Sequence, residues 1–549
     1  MRQTLEKVTS KQASLPYSPI YSIAPYKGEW TYKQAAHLLR RTTFGVTYAQ
    51  IKEIATKDLP SVVDALLDNS TPLPPPPINY NKNNDYTVPI GETWVNAPYG
   101  GGVNLTSYRL NSLYAWNMGV LLESTLNIRE KMTLFWHNHF VVDSSIVKDA
   151  KVIYRYISTL RANATGNFKD LVKLMTIEPA MLRYLNGNTN NKNKPNENYA
   201  RELLELFTIG KGDAAGPGDY TTFTEDDVIE VAKVLTGWRD RGFKTKDPDQ
   251  EIYSEFLRGR HNRESKQLSH RFDNAVIENA DDKEYEQLID VIFQQPEVAR
   301  FICRKLYRWF VYYKIDEAVE ANIIQPLADT LIANDFEIAP VIRQLLLSEH
   351  FFDAELIGPM IKNPLDFVLP IFRQFEIAIP EDDKIAQYKV WNFISNQMPN
   401  LQMTYFKPPD VAGWKAYYQA PGFYKGWISS VTLTSRMLIT DTVTMQNRKV
   451  SGIPMKIDVL AFVAKIDDAL DPNAVLAEFA KILFTQPLTE SQHAFLKEIL
   501  IPGLPDYEWT VEYSDHLSRP NNNGLRRGVE NRLKSVLQAM LSMPEYYLM

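Results

Sequence analysis

Apolar residues recur at intervals of three and four along almost the whole chain, the pattern of helices that each bury one face. In the segment opening at Thr224, the residues Val228, Val231, Val234, Leu235 and Trp238 keep helical spacing, and Thr224 followed by Asp227 forms a capping arrangement. The same reasoning predicts helices over 31–42, 47–57, 59–68, 105–140, 146–163, 167–185, 196–208, 225–238, 281–295, 297–313, 317–334, 338–349, 363–375, 383–397, 428–440, 457–467, 473–484, 488–500 and 530–542. Period-two alternation is scarce, so a sheet has room only as a small hairpin in a loop. The expected fold class is all-α: a large, bundle-like array of many helices with long irregular loops and at most small β hairpins.

Breaks in the pattern set the organisation. Thr71–Pro77 carries consecutive prolines, which fix φ and remove donors, so this stretch is extended and wraps or links. Asn186 to Asn196 is rich in Asn, Gly and Lys and hands the chain to the next helix. Gly237 to Ser269 and Pro502 to Gly528 are long irregular excursions. No disordered linker divides the chain, so residues 1–275 and 276–549 are expected as two helical regions packed into one continuous body.

Charge narrows the function classes. With 60 basic against 66 acidic residues, there is no positive excess to neutralise a phosphate backbone, and nucleic acid is not an expected partner. The charged fraction of 23% and hydrophobic fraction of 44% are those of a globular chain folding in water. Cys303 is the only cysteine, which excludes an intrachain disulfide, and its Phe301–Leu306 setting reads as a small buried residue rather than a nucleophile. Met1–Ser10 lacks the apolar core of a secretory signal and no later run reaches the ~18 apolar residues of a membrane span, so the chain is expected to start in the cytoplasm.

Two polar blocks carry the candidate chemistry. In Asn196–Leu206, Glu197, Arg201 and Glu205 share one helical stripe and Asn198, Glu202 and Glu205 an adjacent one, while Leu203, Leu204, Leu206 and Phe207 face the core. A solvated face of i,i+4 pairs is the plain alternative. In Phe135–Phe140, His137 and His139 sit inside an aromatic frame. On a helix these two diverge by about 200°, so joint chelation requires an extended or turning backbone, and a lone histidine on the apolar side is the commoner satisfied core residue. The candidate catalytic set is His137, His139, Asn198, Arg201, Glu202 and Glu205. A divalent metal is the candidate cofactor, with His137, His139 and Glu202 as its ligands. His261 and Lys266 form a polar loop group able to close over a site, with Trp238 and Trp414 as candidate substrate-binding partners. Gly210–Gly218 follows a helix rather than a strand, which argues against a phosphate cradle.

Taken in order, Ala35–Gly45, Phe135–Phe140, Pro179–Leu182, Asn196–Leu206, Asp227–Val228, Leu235–Trp238 and Pro409–Trp414 resemble the uncharacterised bacterial domain-of-unknown-function family 1800 over nearly the whole chain. One departure is local: the family pattern His-Asp-x-Gly-x-Lys stands here as His261-Asn-Arg-Glu-Ser-Lys266. The resemblance implies no established reaction. It implies a partner, a phosphatase- or sulfatase-like protein encoded nearby, and export to the periplasm in that partner's company. Two functions follow as expectations: a metal- or carboxylate-dependent hydrolase of a polymer or sugar-like substrate, or a non-catalytic helical partner or chaperone of the phosphatase-like protein.

Overall fold

The computed structural model describes residues 19–81, 83–100 and 104–549. The sequence-level reading of Met1–Ser10 lies outside them. Among the described residues the chain is mostly helical, and its strands form short two-stranded antiparallel pairs. The all-α expectation therefore holds, hairpins included. The longest pair, β1 (Trp238–Arg241) with β2 (Tyr253–Phe256), lies within the long Gly237–Ser269 excursion.

Helix α1 (Tyr32–Thr42) buries Ala35, Leu38 and Leu39, and His37 Nε2–H donates to the Phe351 carbonyl at 3.1 Å. The stretch expected as one helix over 105–140 is two, α2 (Leu105–Glu123) and α3 (Arg129–His139). The break falls at Ser124–Ile128, where the Asn127 side chain accepts from the Arg129 amide at 2.6 Å and supplies the bond that a continuous helix would take from its own backbone. Arg129 then spreads its guanidinium over the Asn69 and Thr71 carbonyls, both at 2.8 Å. Prolines keep their acceptors, and Trp116 Nε1–H uses the Pro75 carbonyl at 2.7 Å, so the proline run is bonded along α2 as a strap.

The buried face of α4 (Ala150–Ala162) brings Arg161 onto Glu130 of α3 at 2.7 Å, and a second cation, Arg109 of α2, meets Asp85 at 2.8 Å with both side chains fully enclosed. Next come α5 (Glu197–Glu202), α6 (Glu225–Val234), α7 (Pro296–Phe310), α8 (Pro364–Gln374) and α9 (Lys384–Ser395). Helix α9 packs on α2 at Gly119, where a Cβ would come within 2.5 Å of the Trp391 ring. The C-terminal part holds α10 (Ser430–Thr444), α11 (Asp506–Ser518) and α12 (Asn523–Ser542). Helix α11 lies in a stretch expected to be irregular; it is anchored by Trp509 and Tyr513, one turn apart, whose rings stack at 5.4 Å. One hydrophobic cluster includes residues from Ala35 to Met549.

Candidate functional site

The helix bearing the first polar block starts where Asn196 accepts from the Asn198 amide at 3.1 Å, an N-cap provided by the Asn-rich loop. Helix α5 then widens into a π-helical turn over Leu203–Thr208. At its C-terminal end the carbonyls lack helical donors. Two side chains from elsewhere take them: His139 Nε2–H donates to Phe207 at 3.0 Å, and Lys305 Nζ of α7 donates to Leu206 at 2.9 Å. Lys305 also donates to His139 Nδ1 at 3.0 Å, which fixes the imidazole in its Nε2–H form. The two polar blocks thus meet through backbone carbonyls and a lysine, not through carboxylate–imidazole bonds.

These groups line a cavity of about 210 Å³. Phe135, Asn138 and His139 come from α3, Glu205 and Leu206 from the π turn, Phe301, Lys305, Arg308 and Trp309 from α7, and Ala412, Tyr417 and Tyr418 from the segment after Asp410. Burial, with Arg308 adding to it, pushes the Lys305 amine down to about 7. Burial and the nearby lysine also hold His139 well below the ordinary histidine range. An amine that is substantially neutral at pH 7 in a concave aromatic pocket can accept a proton or attack a carbonyl.

Asn138 joins this wall to the Pro409–Trp414 block. Its Oδ1 accepts from the Trp414 amide at 2.9 Å, and Gly413, at φ 95°, leaves it no more room than that: a Cβ there would lie 2.2 Å from the same oxygen. Glu202 is pushed up to about 7 by burial and by Glu205 and Asp410, with Arg201 opposing.

The remaining candidates sit as follows. His137 is fully buried; Nε2–H donates to the Tyr405 carbonyl, Nδ1 lies 2.8 Å from the Tyr156 hydroxyl, which itself donates to the Phe140 carbonyl, and the Tyr405 ring stacks on the imidazole at 5.2 Å. Burial drives its pKa down to about 4. Arg201 grips Glu225 of α6 with bonds of 2.9 and 2.6 Å rather than Glu197 or Glu205, since a bidentate fork outweighs single i,i+4 pairs. Asn198 faces solvent. His137, His139 and Glu202, considered together as metal ligands, are not gathered: both imidazoles use both ring nitrogens on protein groups, and among the described residues no three His, Cys, Asp or Glu side chains converge on a metal-sized site.

His261 and Lys266, expected as a loop group above a site, are instead enclosed with Glu284, the imidazole at 2.9 Å and the amine at 2.5 Å from its two oxygens. Trp238 packs on Phe256 and Tyr285, and Trp414 edges onto His137 at 5.7 Å; neither lines the cavity. Lys305 escaped the sequence reading, although Val298, Ile302, Lys305 and Trp309 occupy one helical stripe that is otherwise apolar. A charge on such a stripe is the signal that would have found it.

A helical scaffold holding a polar, aromatic-walled cavity between α3, the π turn, α7 and the segment after Asp410 defines the class. The chain belongs to the family described as "Protein of unknown function (DUF1800)", whose model matches residues 37–548. Nothing among the curated proteins or the solved structures matches it. No helix among the described residues is long and apolar enough to cross a membrane.

Proposed function

We propose that this protein is a hydrolase acting on a sugar-like ligand or polymer, carboxylate-dependent, with the Glu205–Lys305 cavity as its site. The observation that carries the reading is a near-neutral lysine amine in a cavity that Glu205 also lines and that aromatic rings wall, the kind of surface on which sugar faces stack. Lys305 takes the proton of the attacking water and Glu205 binds ligand hydroxyls; Glu202, one turn before Glu205 and outside the cavity lining, is assigned as the proton donor. His139 is a positioning residue that holds the amine, while His137, Asn198 and Arg201 serve the framework. The test is reducing-end release from an oligosaccharide panel by the wild type, Glu205→Gln and Lys305→Met. Turnover should be bell-shaped with a maximum near pH 7, because Lys305 must have lost its proton while Glu202 keeps its own, and it should vanish in Lys305→Met. Equal turnover in that variant, or no turnover by the wild type on any glycan, defeats the proposal.

A second reading, a non-catalytic partner of a phosphatase- or sulfatase-like protein, draws on a different observation. Helix α10 exposes Val431 and Leu438, 61% and 57% accessible, seven residues apart on one stripe, an arrangement that suits helix-in-groove recognition. Co-purification that survives in Lys305→Met and is lost in Val431→Glu/Leu438→Glu would favour this reading over catalysis.

A further inference from the structure

Beneath the candidate site, on the far side of Trp309 and Tyr417, lies a second and much smaller cavity of about 10 Å³, room for a single water or a single small ion. Its lining is rich in donors. Arg41 of α1 is 1% exposed, and its guanidinium makes one hydrogen bond, from Nη2 to the Leu356 carbonyl at 3.1 Å; Nε and Nη1 have no partner among the described residues. The Tyr424 hydroxyl and the Trp427 indole N–H, both buried, are likewise without partners. The Tyr417 hydroxyl, in the same lining, is also buried without a partner among the described residues; buried donors are almost always satisfied, so five such groups at one cavity call for an acceptor.

The charge count points the same way. Asp366 is the side-chain carboxylate of this lining, and its oxygens are already engaged, one by Lys131 and the other by Asn363 Nδ2 at 2.7 Å; Met549, whose α-carboxylate ends the sequence, also borders the cavity but makes no ion pair with Arg41. Arg41 has no carboxylate within ion-pair distance among the described residues. A lone water accepts about two hydrogen bonds and brings no charge, whereas a halide accepts four or more and neutralises the guanidinium.

We propose that this cavity is a buried monovalent-anion site, built for chloride, with Arg41, Tyr424 and Trp427 as its donors. The site locks α1 to the Phe423–Trp427 turn behind the candidate site. It is independent of the hydrolase reading. The test uses the full chain. Crystals grown in sodium bromide should show an anomalous peak at the cavity. Thermal unfolding should shift upward in sodium chloride or bromide relative to sodium gluconate at equal ionic strength. Trp427→Phe, which removes one donor with little change of shape, should weaken the apparent halide affinity about tenfold. An ordered water alone at the cavity, with no anomalous signal, overturns the proposal, as does unfolding that is the same in halide and gluconate.

Discussion

Replacing Lys305 with methionine separates the cost of a buried amine from its use. Lowering the amine from its ordinary 10.5 to about 7 corresponds to a penalty on the charged form of roughly 5 kcal/mol at about 1.36 kcal/mol per tenfold. The residue keeps some solvent contact, and the variant loses the bonds to Leu206 and His139, each worth about 1 kcal/mol. Lys305→Met should therefore be more stable than the wild type by about 2 kcal/mol at pH 6. The sign with pH follows from linkage: between about 7 and 10.5 the unfolded chain binds the proton that the folded chain has released, so wild-type stability rises with pH across that window. The advantage of the variant should shrink toward zero by about pH 9. Urea unfolding at pH 6, 7.5 and 9 measures it. A variant that is less stable at pH 6, or whose difference from the wild type is flat with pH, would refute the burial argument.

Other outcomes follow from the same geometry. Gly413→Ala forces a Cβ against Asn138 at a positive φ and should cost about 3 kcal/mol by chemical denaturation; a loss under about 1 kcal/mol would mean that the wall yields. Glu284→Gln leaves His261 and Lys266 enclosed without their carboxylate and should cost about 3–5 kcal/mol, whereas a near-neutral result would show that water reaches them. If residues 1–275 and 276–549 form one body, limited proteolysis should cut first in the 70–104, 186–195, 240–270 or 519–522 segments, and early cleavage within α7 would count against it.

The elements legible in the sequence were those whose stripe is long and clean, such as α6 and α7. Helix α11 was not, because Trp509 and Tyr513 stand among polar residues and the flanking Pro505, Pro520 and Asn521–Asn523 read as loop. The gap between α2 and α3 was hidden because Leu126 and Ile128 keep an apolar content that spacing alone cannot distinguish from helix. The site was half legible. Its two polar blocks stood out, yet the contacts between them run through Leu206 and Phe207 carbonyls, which no side-chain pattern records, and through Lys305, about a hundred residues downstream. His261 and Lys266 looked solvated because the carboxylate that buries them, Glu284, belongs to the next helix.

The bond from His37 to Phe351 also sets a timetable. The two residues are 314 apart, and a ribosome adding about 5–20 residues per second makes the second available roughly 15–60 s after the first. For that interval the buried face of α1 has no lid from the later chain, and this helix, though made long before Phe351, is among the last to find its place. Nascent chains arrested before residue 345 should leave α1 open to protease, and those released at full length should close it.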